Sequence, residues 1–341
     1  PNSVTSIGIG VFSGCTSLSS IEIPDSVTSI GIDAFYNCDR LTKVYYKGTI
    51  EDWCNISFNY YNSPMRYASH FYMLDENNVY KEVTEIVIPE TVTKIGIYQF
   101  YGFSNVTNIV IPNRVTSIGY DAFNGCISLN SIEIPNSVTS IGDHAFSGCT
   151  SLTSIEIPDS VISIGIGAFC GCIGLTSIVV DKNNSVYDSR NNCNAIVKTD
   201  LNSLIIGCKM TKIPNSVTSI EQYAFGDCTG LACIEIPNSV TSIGYAAFYG
   251  CTGLTSITLP FIGDGWNEKY FGYIFGASSY RDNSEYVPTS LKKVIITKTT
   301  SIGGPAFYGC TGITSIEIPD SVTSIGIDAF YGCTGLTSIE I

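Results

Sequence analysis

The sequence predicts a β-solenoid. In such a fold one short strand per turn of chain builds a parallel sheet, and the other side is made of shorter strands and single helical turns. Three observations predict it. A 23-residue pattern recurs ten times in 341 residues. Two of its positions never change, one always Phe and the other always Ile. No single copy holds enough large apolar side chains to offset the backbone entropy of ordering it, so the copies must share a core.

Counted from the proline that opens most of them, copies begin at residues 1, 24, 89, 112, 135, 158, 214, 237 and 319. A tenth, lacking that proline, begins at Ile296. The repeats fill 1–46, 89–180, 214–259 and 296–341, and inserts fill 47–88, 181–213 and 260–295. Every residue of 1–341 is therefore repeat or insert, and the chain reads as a single solenoid fragment with no separate domain.

Each element of a copy follows from its residues. Leu152-x-x-Ile155-x-Ile157 reads as a strand with both Ile on one face and Glu156 on the other. Pro158 ends it, because proline cannot donate to a ladder. Val161 to Ile164 reads as a second short strand. Gly165, matched by Gly in nine of ten copies, suits a turn that needs positive φ. The following Ala-Phe-x-Gly-Cys is too short for a free helix and reads as one helical turn. The Phe column, from Phe12 to Phe330, and the Ile column, from Ile7 to Ile325, form the predicted core. The inserts contribute rungs too. Val83-x-x-Ile86-x-Ile88 and Leu291-x-x-Val294-x-Ile296 repeat the strand signature, and 194–206 reads as a β-hairpin.

Composition excludes several functions. The net charge is −13, which leaves little to neutralise phosphates and argues against nucleic-acid binding. Hydrophobic residues make up 44%, which argues against disorder. No apolar run reaches the length of a membrane-spanning helix.

The unit L-x-x-I-x-I-P-x-x-V-x-x-I-G-x-x-A-F-x-G-C resembles the BspA-like leucine-rich repeat proteins, and the resemblance covers all ten copies. The insert segments Tyr46-Lys47-Gly48-Thr49-Ile50-Glu51-Asp52-Trp53, Tyr187-Asp188-Ser189-Arg190-Asn191-Asn192-Cys193 and Ile274-Phe275-Gly276-Ala277 are also similar to that group. The resemblance implies a curved leucine-rich repeat solenoid with its parallel sheet on the concave side. It also implies a surface or secreted protein of anaerobic bacteria or trichomonads that adheres to host or partner proteins and does no catalysis. The chain opens at a proline and stops at a strand, without capping sequences, secretion signal or wall anchor. It is therefore expected to be a segment of a longer protein, and an extracellular location follows by resemblance alone.

Of fourteen cysteines, nine share one repeat position, and Phe103 takes that position in the tenth copy. Phe cannot ligate, so the column reads as buried thiols acting as small hydrophobes. Cys193 and Cys208 lie at the ends of the predicted hairpin and read either as one disulfide or as two packed thiols. The two histidines, His70 and His144, have no evident nucleophile beside them. The 181–188 loop lacks the Gly and closing Glu of a calcium loop. No cofactor, metal or catalytic residue is expected.

The candidate binding surface is the outward strand position, Glu22, Glu133, Glu156, Glu235, Glu317 and Glu340, together with Trp53 and Trp266 among the aromatic residues of the inserts. The glutamates form either a solvated open face or an acidic strip that docks basic partners. The flanking Ser and Thr, such as Ser154 and Thr139, offer a hydroxyl-rich surface. The aromatics serve protein contact or sugar stacking, or else close the core under the inserts. Asn55, Asn105 and Asn183 open N-x-S/T acceptor patterns. The expected partners are extracellular proteins, matrix or host surface, or glycans. Alternatives are a glycan-binding module that uses the insert aromatics and a structural spacer.

Overall fold

In the computed structural model, which describes residues 3–59, 62–263 and 270–340, one turn of chain takes 23 residues. That length sets the register of the ladders between adjacent repeats. Ser20 lies beside Lys43, Ile132 beside Ile109, and Ser140 beside Ser163. The coordinates divide into two compact units, Pro1–Leu175 and Thr176–Ile341, and each is a β-solenoid with an open-face ladder and a back ladder.

In the first unit, parallel strands Ser20–Ile23, Lys43–Tyr46 and His70–Leu74 form the open face, with Tyr80–Glu82 added antiparallel. Strands Glu85–Val87, Asn108–Val110 and Ser131–Ile132 continue it as a second parallel ladder. The back carries Ser117–Ile118, Ser140–Ile141 and Ser163–Ile164. In the second unit the open face is a five-stranded parallel sheet: Cys233–Glu235, Ser256–Leu259, Lys293–Ile296, Ser315–Glu317 and Ser338–Glu340. The predicted hairpin is present as antiparallel strands Ala195–Lys198 and Ser203–Gly207, and Ser203–Gly207 pairs with the back strand Ser219–Ile220.

The sequence pattern explains each side. Strand Ser154–Ile157 alternates exposed and buried, with Ile155 and Ile157 inside. After each Pro the chain turns: Val138 N–H bonds to the Pro135 carbonyl at 3.0 Å, and Val138 is fully buried. The Phe rings stack along each unit. Phe100–Phe123, Phe123–Phe146 and Phe146–Phe169 have centroids 5.6, 5.2 and 5.1 Å apart, and Phe225–Phe248 are 5.0 Å apart. Stacked aromatic pairs of this kind add to burial itself.

The Ala-Phe-x-Gly-Cys segment differs from the single helical turn expected. Its N–H groups alternate between two destinations. Ser147 and Cys149 bond three residues back, to His144 and Phe146, whereas His144, Phe146 and Gly148 bond across to Ile166, Ala168 and Cys170 of the next copy. Left-handed backbone at His144 (φ 53°) and Gly148 (φ 69°) breaks the helix and turns this side into a further inter-repeat ladder.

The Gly column also has a different cause. Its members Gly119, Gly142 and Gly165 do not have positive φ; the left-handed residues are those two positions later, Asp121, His144 and Gly167. What the column requires is close approach. A Cβ on Gly142 would lie 2.7 Å from the Gly119 carbonyl carbon and the Tyr120 nitrogen, well inside van der Waals contact. Gly148, by contrast, has positive φ and room for a Cβ, its nearest neighbour being 3.6 Å away.

The two causes predict different costs. Gly142→Ala should lose about 2–3 kcal/mol by forcing repeats apart, and Gly148→Ala about 1–2 kcal/mol from left-handed strain alone. Urea unfolding of both variants checks the order; a larger loss at Gly148 would return the column to a φ-based explanation.

Candidate functional site

The open face is where the strand pattern leaves side chains unburied. Glu133, Glu156, Glu235 and Glu340 are exposed there, as alternation requires, and Glu22 and Glu317 are partly engaged. Lys47 Nζ lies 2.7 Å from Glu22 Oε1, and Lys293 Nζ lies 2.6 Å from Glu317 Oε1. The column is also interrupted. In the first unit Glu22 registers with Tyr45 and Tyr45 with Tyr72. In the second unit Glu235 is followed by Thr258 and Ile295 before Glu317 and Glu340. The strip is therefore a set of short acidic patches, and two of its six carboxylates carry a lysine partner.

The first insert changes this face most. Tyr45 stacks on Tyr72 at 4.9 Å, and Tyr80 meets Tyr45 edge-on at 4.8 Å. Tyr80 Oη donates to Glu22 Oε2 at 2.9 Å. The three half-exposed rings thus sit beside the Lys47–Glu22 pair. Hydrogen bonds from Lys47 and Tyr80 hold the Glu22 carboxyl below its ordinary value, and burial, helped by Glu22, pushes the Tyr80 hydroxyl up to about 12. At the edge of the cluster His70 Nδ1 lies 2.5 Å from Glu82 Oε1, and Asn105 Nδ2 donates to the same oxygen at 2.5 Å. The His70 contact, ahead of that from Asn105, keeps Glu82 below its usual range. In the sequence Tyr72 and Tyr80 are simply two of the many aromatic residues of the first insert, and Tyr45 is a gap in the column where six other copies carry Glu. The signal that could have found the cluster was in that gap: Tyr45 stands at an outward position whose neighbours come from an aromatic insert.

Trp53 corrects the expectation for the inserts. It is fully buried, on the short helix Ile50–Asn55, which Thr49 and Asp52 close with a capping box. Its indole N–H donates to the Gln99 carbonyl at 2.8 Å, and Tyr46, Phe58, Phe71 and Phe103 surround its ring. Trp53 fills core between rungs that the Phe column does not supply there, so it offers no ring to a ligand. In the third insert Phe271 and Phe275 do the same, linking Phe248 to Phe307. Trp266 lies outside the described residues.

The cysteine column is buried at Cys38, Cys126, Cys149, Cys172, Cys251 and Cys310, and Phe103 is buried in the same position. Cys15 is exposed, and Cys228 and Cys333 are intermediate. The thiols do more than fill space. Cys126, Cys149, Cys172 and Cys251 donate to the Phe carbonyl of the preceding copy, at 3.1–3.3 Å. This second bond to each Phe carbonyl gives a reason for Cys over Val or Ala. Burial pushes the Cys126 thiol up to about 12. Cys193 and Cys208 are separate buried thiols, bonded to the carbonyls of Ala195 and Asn194. The hydroxyl columns are partly used in the same way: Ser137 and Thr139 donate to the carbonyls of Val115 and Thr116, so they satisfy backbone as well as wetting the surface. Among the described residues no helix is long and apolar enough to cross a membrane.

Repeat length, stacked Phe column and parallel open-face ladder define a leucine-rich repeat solenoid. The profile of the BspA type leucine rich repeat region matches residues 1–67, 77–196, 204–273 and 281–341, and the chain belongs to that family. Among solved structures it is similar to a leucine rich cell surface protein from Faecalibacterium prausnitzii, at 31% identity and a TM-score of 0.56, covering 99% of this chain and 83% of that one. It also matches leucine-rich repeat proteins from Bacteroides ovatus (27% identity, TM-score 0.47, 96% and 75% covered) and Eubacterium ventriosum (21%, 0.49, 95% and 78%). No curated protein matches the chain.

Two outcomes follow. Under native conditions iodoacetamide should modify exposed Cys15 and Cys233 long before Cys126 and Cys149, as read by mass spectrometry of the digest; early labelling of Cys126 would contradict a dry thiol ladder. Because the Glu22 pKa is depressed, its stabilising contribution is present above the ordinary carboxylate range and lost as pH falls through the lowered value. NMR titration should therefore find Glu22 ionising below the ordinary carboxylate range, and Lys47→Met should remove most of the depression.

Proposed function

We propose that this chain is a non-catalytic, cell-surface or secreted leucine-rich repeat protein that binds other proteins and adheres to host or partner-cell surfaces through its open face. The observation that carries this reading is the Tyr45–Tyr72–Tyr80 cluster beside Lys47 and Glu22. Half-exposed tyrosines packed against one another, with charged groups at the rim, are the composition of protein-binding hot spots. The Faecalibacterium relative is a cell surface protein, which supports an extracellular location. The non-catalytic reading is supported by the wet, open setting of the outward glutamates. The repeat phase runs without interruption from Pro89 to Val180 in sequence, which supports treating 1–341 as one array. The glycan-binding alternative loses Trp53 to the core, and the spacer alternative assigns no role to the tyrosines.

A binding screen against extracellular-matrix proteins and a glycan array tests the proposal. A matrix protein should bind, and Tyr45→Ala with Tyr72→Ala should weaken it by about tenfold or more, with the thermal unfolding midpoint little changed. Binding to sugars alone would favour the glycan module, and no binding at all would favour the spacer.

A further inference from the structure

In the unit Thr176–Ile341 one rung of the open face lacks its strand. The five-stranded sheet begins at Cys233–Glu235, which pairs with Ser256–Leu259 on one side; among the described residues no strand pairs with its other edge. The segment one repeat length earlier should supply that strand, because Ile213-Pro214 matches Ile236-Pro237 and Lys212 matches Glu235. It turns instead. Thr211 stands where the repeat has Ile234. Its hydroxyl donates to the Asn194 carbonyl at 2.6 Å and accepts from Cys208 N–H at 2.7 Å. The N–H groups of Thr211 and Lys212 bond to the carbonyls of Cys208 and Cys193. The backbone of this rung is thus committed to a turn and to the hairpin.

A groove of about 660 Å³ lies between the turned rung and the edge strand, with Lys209, Met210 and Lys212 on one wall, Cys233 and Glu235 on the other, and Thr258 beyond. Met210 is 54% exposed. The edge strand spends alternate residues on its partner: Thr255 N–H bonds to the Ala232 carbonyl, and Ile236 N–H to the Thr258 carbonyl, each at 2.8 Å. By the same alternation Cys233 and Glu235 direct their N–H and C=O groups toward the groove. Charge changes here too. The Glu column of the open face becomes Lys212, and Lys209 joins it, against the single carboxylate of Glu235.

We propose that this groove takes an extended acidic segment of a partner protein, which adds as a strand along the free edge of Cys233–Glu235 and places its acidic side chains against Lys209 and Lys212. Main-chain pairing supplies affinity, and the two lysines with Met210 select alternating acidic and apolar residues. The proposal rests on the reading that the open face binds proteins, and it names the partner chemistry for a site separate from the tyrosine cluster.

The test uses the full chain and a fluorescein-labelled, capped peptide alternating glutamate and valine, about seven residues long. Fluorescence anisotropy should show saturable binding that weakens with added salt. Lys209→Glu with Lys212→Glu should weaken it about tenfold or more. Cys233→Pro removes an edge N–H that the ladder does not use, and it should abolish binding while leaving the thermal midpoint near wild type. If that variant fails to fold, the same peptide N-methylated at alternate amides provides the control, and it should not bind. No binding at about millimolar peptide, equal binding by the N-methylated peptide, or indifference to the lysine reversals would each overturn the proposal. The Tyr45→Ala, Tyr72→Ala variant should bind the peptide as wild type does. Loss of matrix binding in that variant, with no peptide binding anywhere, would therefore overturn the groove alone.

Discussion

Close approach of one turn of backbone to the next is the constraint on which everything else in this molecule depends. At Gly119 and Gly142 successive copies come so near that a single Cβ would meet neighbouring backbone at 2.7–2.8 Å. That spacing is also what lets Phe100, Phe123, Phe146 and Phe169 stack at 5.1–5.6 Å. It brings the thiols of Cys126, Cys149 and Cys172 within reach of the preceding Phe carbonyl, and Ser and Thr hydroxyls within reach of carbonyls one turn back. Core packing and hydrogen bonding are thus one requirement, met by the same 23-residue period.

A scaffold held this uniformly says little about function on its own, because identical copies present identical faces. Differences enter where the period is broken. The first insert adds strand His70–Leu74 to the open face and brings Tyr72 and Tyr80 onto Tyr45. The second insert puts Thr211 where the repeat has a buried Ile and bends a rung away, so that among the described residues no strand pairs with the outer edge of Cys233–Glu235. Both candidate binding regions therefore lie beside inserts, and in both the outward position has departed from Glu.

Much of the fold could be read from residues. The Phe column, the alternating strand signature and the rungs at 83–88 and 291–296 each follow from side-chain periodicity, and the structure places them as expected; the Ile column is inside as well except at Ile325, which is 41% exposed. What the sequence concealed depends on backbone geometry and long-range closure. Whether a conserved-looking Gly such as Gly142 answers to φ or to a neighbouring backbone cannot be read from its identity, because both demands are met by the absence of a Cβ. The destination of the His144 and Phe146 N–H groups depends on the next copy, so a five-residue segment resembled a helical turn. The burial of Trp53 is concealed for a related reason. An aromatic residue in an insert looks the same whether it faces water or fills a gap in a Phe column, and the gap becomes visible only once Phe71 and Phe103 are seen around it. The lysines beside Glu22 and Glu317 are likewise brought in by strand register, so a strip that is acidic in sequence is partly neutral in space.

Native-state hydrogen exchange on the full chain, comparing wild type with Phe146→Ala, tests most directly whether the copies share one core. Removing that ring should cost about 3–5 kcal/mol. If the stacked column holds the turns together, protection should fall at the amide of Phe123 and in copy 158–180 as well as within 135–157. Loss confined to 135–157, with both neighbours protected as in wild type, would mean that each copy is stable by itself and would contradict the account.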